Sequence, residues 1–255
     1  MIDRQSPILP RFKILGQPVH LTPDYVQWLV SRLEQGVGTH VVTMNGEIIM
    51  QANQQPELAK IVQHADLVTP DGAGVIFALK LHGINQIRCA GIELGEKLLR
   101  LASQPGYDYS VLLYGGKPGI VEQAAQNWQK KLPNLKIVGT YHGYISADEQ
   151  AELDRELTLT QPKIILVALG VPRQELWIRD RLHLCPGAIW VGVGGSFDVW
   201  SGNKKRAPQI YQKLNIEWLY RLAQEPTRWR RMLSLPHFAI LAIKERIFAG
   251  KISAN

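Results

Sequence analysis

Asp71 stands where a buried strand gives way to a helix. In the stretch from Ala65 to Val75, Asp66-Leu67-Val68 reads as the end of a short apolar strand and Thr69-Pro70 stops it. Asp71-Gly72-Ala73-Gly74 then turns the chain into an apolar helix beginning at Val75-Ile76-Phe77. Free backbone N–H groups and the positive end of a helix dipole face the crevice at such a junction, which is where α/β sheets bind ligands. A carboxylate in that position can take a proton from a substrate hydroxyl. Asp is also a common helix N-cap, stabilising the helix by ~1 kcal/mol, so the local sequence alone supports two readings.

Other strand ends carry the same combination of Gly with a polar residue. Thr43 and Asn45 follow one apolar run, Gly115-Gly116 another, Gly170 with Gln174 a third, and Gly194-Gly195 with Asp198 a fourth. In a parallel sheet these ends share one edge, so together with Asp71 they would line one crevice of nucleotide size. The standard nucleotide fingerprints fail. Phe77 and Phe197 stand where a dinucleotide loop needs a third small residue after Gly72-x-Gly74 and Gly192-x-Gly194, and Gly115-Gly116-Lys117 lacks P-loop spacing. No two Asp residues lie two apart, and the seven His residues are scattered singly, so neither a metal nor a cofactor is expected.

The elements that must position these residues are legible as an alternation. Apolar runs at 40–44, 110–114, 136–138, 164–168 and 188–191 are separated by segments of helical length. Strands apolar on both faces, alternating with helices, predict a mainly parallel sheet covered on both sides, an α/β, Rossmann-like doubly wound fold. Ahead of it, Phe12–Leu15 and Val19–Leu21 suggest a small hairpin around Gly16-Gln17-Pro18. A helix from Pro23-Asp24 places Val26, Val30 and Leu33 on one face. Asn45-Gly46 reads as a turn, and a helix spans Pro56 to His64.

The chain has 255 residues and 45% apolar content, enough for a full core. Its two cysteines, Cys89 and Cys185, form no Cys-x-x-Cys motif, a reducing, cytosolic pattern. No signal peptide is expected, and the longest charge-free run near the C-terminus, twelve residues from Met232 to Ile243, is far below the ~20 needed to span a bilayer.

Charge is concentrated at the end. From Trp200 onward, eleven Lys and Arg face three Glu, net +8, while the remainder is net −1. The alternation stops after Gly202, and residues from Pro208 read as helices broken at Pro226 and Pro236. This divides the chain into a core of residues 1–196, expected to fold by itself, and a basic helical appendage of residues 197–255. A concentrated basic tail implies an anionic partner. Arg221, Arg228 and Arg231 can fork onto a diphosphate, and the apolar residues interleaved with Lys244, Arg246 and Lys251 suit either a core helix or a membrane interface.

Six segments in order carry a resemblance. VTMN at 42–45, DLVTPDGAGV at 66–75, GVPRQE at 170–175, GVGGSFD at 192–198, KRAP at 205–208 and EWLYRLAQEPTRWRR at 217–231 resemble the bacterial WecG/TagA/CpsF glycosyltransferases, from about Phe12 to Arg231. The resemblance implies an inverting, metal-independent transferase without cofactor. Such an enzyme moves a sugar, typically N-acetylmannosamine or its uronic acid, from a UDP-sugar to a polyprenyl-diphosphate-linked sugar at the inner membrane face. By motif, Asp71 is the implied general base and Thr43 helps orient the reacting groups. Asn45, Arg88, Gly115, Gly170, Gln174, Gly194, Gly195 and Asp198 are implied donor contacts, while Arg221, Arg228 and Arg231 hold the acceptor diphosphate. The implied location is cytoplasmic, peripheral to the membrane, with no nucleic-acid partner; a homo-oligomer is compatible with the pattern. Two alternatives stand beside this reading: a non-catalytic nucleotide-sugar or polyanion binding protein, and a glucosyl or uronosyl transferase of the same family.

Overall fold

The computed structural model describes residues 7–213, 217–224, 229 and 234–252. Its centre is a six-stranded sheet in the order β4-β3-β8-β7-β5-β6, formed by β3 (Thr39–Met44), β4 (Leu67–Pro70), β5 (Val111–Gly115), β6 (Ile137–Tyr141), β7 (Ile164–Ala168) and β8 (Ile189–Gly192). Every pairing in it is parallel. Helices cover both faces, which is the Rossmann-like, doubly wound arrangement expected from doubly apolar strands.

One face is closed by α1 (Tyr25–Glu34), α5 (Gly91–Ala102), α6 (Ile120–Lys131) and α9 (Ser196–Trp200), whose Leu29, Leu98, Val121 and Phe197 share a core with Val41, Leu113 and Val191. On the other face two clusters lie side by side. α2 (Gly46–Gln54), α3 (Pro56–His64) and α4 (Ala73–Leu81) pack under β3 and β4, together with α12 (Ser234–Ile252) from the C-terminal region. α7 (Ala147–Thr160) and α8 (Arg173–Arg181) pack under β5, β7 and β8 around Trp190. Between α9 and α12 lie the short α10 (Gln209–Lys213) and α11 (Glu217–Gln224).

The leading hairpin, β1 (Arg11–Ile14) and β2 (Gln17–His20), turns at Leu15-Gly16, both at positive φ, rather than at Gly16–Pro18. It covers the edge of the sheet: His20 Nδ1 accepts the Val68 N–H of β4 at 2.9 Å, so the edge strand is not left open.

The local differences from expectation have local causes. Asn45-Gly46 is no turn; Asn45 caps α2, its side chain accepting from Ile48 N, and Ile48, Ile49 and Ala52 bury the helix. In α1 the inward residues are Tyr25, Leu29 and Leu33, one position earlier in phase than Val26 and Val30, because Asp24 is the N-cap. Thr69 and Pro70 belong to β4, β6 runs on to Tyr141, and Ser196–Trp200 is helical because Phe197 and Trp200 are drawn into the core. Pro236 lies in the first turn of α12, where its missing N–H has no helical partner to lose. Pro226 lies outside the described residues.

Candidate active site

After β3 the chain passes to the face of α2, and after β8 it passes to the opposite face, to α9. A crevice opens between neighbouring strands at such a reversal. The cleft found there is lined by Thr43, Asn45, Asp71, Gly170, Gln174, Gly194, Gly195 and Asp198, and on its outer side by Lys204, Lys205, Arg206 and Glu217.

Each wall residue is fixed by its element. Thr43, near the end of β3, donates its hydroxyl to the carbonyl of Gly192 at 2.9 Å, tying β3 to β8 across the floor. Asn45 spends its side-chain oxygen on capping α2 at 3.0 Å, so its amide N–H groups are what it can offer a ligand. Asp71 and Gly72 both direct backbone N–H groups at the carbonyl of Met44, at 2.8 and 3.3 Å. This brings the Asp71 turn onto the end of β3. The N-cap position of α4 is Gly72, not Asp71, and a Cβ on Gly72 would lie 2.8 Å from Asn45 Cβ. Only glycine allows the two strand ends to meet so closely.

On the far wall, Gln174 is 2% exposed. Its Oε1 accepts the Gly194 N–H at 3.2 Å and its Nε2 donates to Glu175 Oε1 at 2.9 Å. Gly194 and Gly170 have φ of +52° and +74°, left-handed geometry that suits glycine. The first turns of α4, α5 and α8 carry no side-chain cap, and their neighbours Asp71, Ala90 and Val171 line the cleft. Uncapped N–H groups from several helices favour an anionic ligand there.

Arg88 lies behind this wall. Its two terminal nitrogens donate to Glu217 Oε2 at 2.7 Å and to Glu93 Oε1 at 3.1 Å. Burial by itself would lower the Arg88 pKa, but the bond to Glu217 and the charges of Glu217, Glu93 and Asp71 outweigh it and raise the value. Arg206 bonds the same Glu93 oxygen. Its Nε and Glu217 Oε1, both buried and 3.8 Å apart, have no hydrogen-bond partner among the described residues. Two guanidiniums and two carboxylates thus join α5, the segment before α10, and α11 at the mouth of the cleft. Cys89, next to Arg88, is pushed up to about 12 by burial and by the Asp71 charge, so its thiol is no nucleophile at neutral pH.

Most of the expected site residues are therefore brought together, and a few are not. Gly115 does not line the cleft; with φ +125° and a Cβ that would sit 2.4 Å from the carbonyl of Ala168, it serves close strand packing. Arg88 is adjacent to the cleft rather than on its surface. Asp198 lines it but is paired with Lys204 at 3.2 Å. Arg228 and Arg231 lie outside the described residues, and Arg221 is described only as a backbone position of α11. Sequence reading missed Arg206 and Glu217 as cleft residues. Their signal was present in the KRAP segment and in the Glu heading α11, but what each faces depends on how α11 docks. Among the described residues no group of three or more His, Cys, Asp or Glu is placed to share a metal ion.

Residues 12–251 match the model of the Glycosyl transferase WecG/TagA/CpsF family. The chain is 38% identical over 220 residues to an N-acetylglucosaminyldiphosphoundecaprenol N-acetyl-beta-D-mannosaminyltransferase of Bacillus spizizenii strain W23, covering 86% of this chain and 84% of the relative. It is 36% identical over 214 residues to the protein of the same name from Bacillus subtilis strain 168, covering 84% of this chain and 82% of that one.

Proposed function

This chain belongs to the WecG/TagA/CpsF family and is a glycosyltransferase, and from that premise we propose that it moves a hexose from a UDP-sugar to a polyprenyl-diphosphate-linked sugar. N-acetylmannosamine or a close relative is the proposed sugar, following the names of the two Bacillus relatives. The process served is cell-surface polysaccharide synthesis. The observation that carries the reading is the cleft itself, where Asp71, Thr43, Asn45 and Gln174 converge with uncapped helix starts and the basic Lys204–Arg206 segment.

In the proposed reaction the acceptor hydroxyl loses its proton to Asp71 as its oxygen bonds the anomeric carbon. The bond from that carbon to UDP breaks on the opposite face, so the configuration inverts. Thr43, held rigid by Gly192, orients the reacting groups. Asn45, Gln174, Gly170 and the Gly194 to Asp198 segment contact the donor, while backbone N–H groups bear the charge that develops on departing UDP and Arg88, bonded to Glu217 and Glu93, adds its positive field from behind the wall. One preorganised donor of this kind is worth ~3 kcal/mol. Arg221, Arg228 and Arg231 are assigned to the acceptor diphosphate.

Residues 1–196 form the catalytic part and residues 197–255 the appendage that meets acceptor and membrane. The division is one of role: Phe197 and Trp200 pack in the common core, and Phe238 and Ala242 pack on α2 and α4. No helix among the described residues is long and apolar enough to cross a membrane. Ile240, Ile243, Ile247 and Phe248 are exposed on α12 beside Lys244, a surface suited to lying on the anionic inner face of a bilayer.

The test is release of UDP from a panel of UDP-sugars offered a short-chain polyprenyl-diphosphate-GlcNAc, with NMR assignment of the anomeric configuration of the product. Acceptor-dependent release from one donor with inverted configuration is expected. Retention of configuration, or binding of donors without any transfer across a range of acceptors, would refute the mechanism.

A further inference from the structure

Behind Gln174 lies a polar pair that the reaction does not touch. Glu175, the next residue of α8, is fully buried; its Oε1 receives Gln174 Nε2 at 2.9 Å, and its Oε2 lies 2.8 Å from Nε2 of His40 on β3, itself nearly inaccessible. Burying a carboxylate this deeply is costly unless both oxygens are bonded, and an apolar pair fills such a volume at lower cost.

What the carboxylate supplies is direction. A primary amide reverses its N and O at little steric cost, whereas an ionised carboxylate only accepts. Glu175 therefore turns the NH2 of Gln174 inward and leaves Oε1 to accept the Gly194 N–H at 3.2 Å. Reversed, the amide would set its N–H groups against that N–H. The strand end is shaped to this arrangement: a Cβ on Gly192 would lie 2.3 Å from Gln174 Nε2 and 2.6 Å from Glu175 Oε1. His40 belongs to the strand that carries Thr43, so the pair also ties β3 to α8.

We propose that Glu175, held by His40, is a positioning residue of the donor site: it fixes the Gln174 amide so that the Gly194 turn is held in place for a nucleoside diphosphate. This rests on the reading of the cleft as the donor site. Neither Glu175 nor His40 touches the reacting atoms.

The experiment compares the full-length wild type with Glu175→Gln, Gln174→Ala and the double variant. It measures UDP affinity by calorimetry, exchange of the Gly194 amide by NMR, and thermal unfolding. In Glu175→Gln, whose side chain no longer dictates the orientation of its neighbour, UDP should bind about tenfold more weakly and the Gly194 amide should exchange about tenfold faster. The double variant should bind no more weakly than Gln174→Ala, since Glu175 acts only through Gln174. Unchanged Gly194 exchange, or additive losses in the double variant, would overturn the proposal. Should Glu175→Gln fail to fold, His40→Leu and His40→Gln replace it: the first removes the donor to Glu175 and should weaken UDP binding, the second restores an N–H and should recover it. Equal affinities in those two overturn the proposal. Absence of UDP binding in the wild type, with Gly194 exchange still answering to Glu175, would refute the donor reading and leave the coupling intact.

Discussion

Gly72 and Cys89 bracket what single residues contribute around Asp71. Gly72 lets the Asp71 turn sit against Asn45, and Gly72→Ala would drive a methyl to 2.8 Å from Asn45 Cβ. Overpacking of this kind costs about 1–3 kcal/mol. Because the groups that must yield are the two strand ends, we expect Gly72→Ala to lose more than tenfold in transfer rate while its melting temperature falls by only a few degrees. Steady-state kinetics and calorimetric melting check this. Cys89 makes the opposite prediction. With its pKa pushed up to about 12 by burial and Asp71, only roughly one thiol in ten thousand is ionised at pH 8. Alkylation at pH 8 should leave activity intact; inactivation with mass labelling at Cys89 would show the thiol to be more acidic than its surroundings imply. Most of the cleft's wall was legible at this scale, because a polar residue or glycine directly after a doubly apolar strand has few other reasons to be there. Asp71 itself was ambiguous until the structure gave the N-cap position to Gly72.

At the scale of elements, α12 and the leading hairpin are the parts whose placement the local pattern did not disclose. Phe238 of α12 is fully buried, its ring 3.2 Å from where a Cβ on Gly46 would stand and 3.1 Å from one on Gly74. Those glycines open α2 and α4, the helices that follow Asn45 and Asp71. Glu245 accepts the Leu15 N–H, and Arg246 Nε donates to the Leu81 carbonyl at the end of α4. Phe238→Ala should therefore cost about 3–5 kcal/mol of stability and lower the transfer rate as well; full activity in the folded variant would show that α12 does not support the site. The hairpin carries a pH prediction. Burial first, and the Arg11 charge second, lower the His20 pKa from 6.5 to about 4. Between these values the unfolded chain binds more protons, so the stability His20 contributes above pH 6.5 declines as the pH falls toward 4. His20→Asn, which keeps an acceptor for the Val68 N–H, should flatten the stability profile across that window by on the order of 2 kcal/mol, measured by urea unfolding at pH 7 and 4.5. Sequence periodicity identified the strands well because both faces are apolar. It missed α2 and α9, since Asn-Gly resembles a turn and a five-residue helix holding Phe197 and Trp200 depends on distant partners.

For the molecule as a whole, the described helices α9 and α12 of the C-terminal region are built into the core clusters on the two faces of the sheet. A chain ending at residue 196 would strip Phe197, Trp200, Phe238 and Ala242 from two core clusters. It should melt far below the full chain or fail to fold, contrary to the independent core that composition suggested. The outward side of α12 makes a separable prediction. Ile247→Glu with Phe248→Glu changes only exposed positions. It should abolish sedimentation with anionic vesicles while leaving the melting temperature and the turnover of a water-soluble acceptor unchanged. Retained vesicle binding would place membrane contact elsewhere.

The central claim, that this cleft performs base-assisted glycosyl transfer, is tested most directly by comparing wild type with Asp71→Asn for both UDP affinity and transfer rate. The predicted result is a rate lower by about 10²–10⁴, with UDP affinity and melting temperature near those of the wild type. Transfer at the wild-type rate by the Asn variant would contradict it.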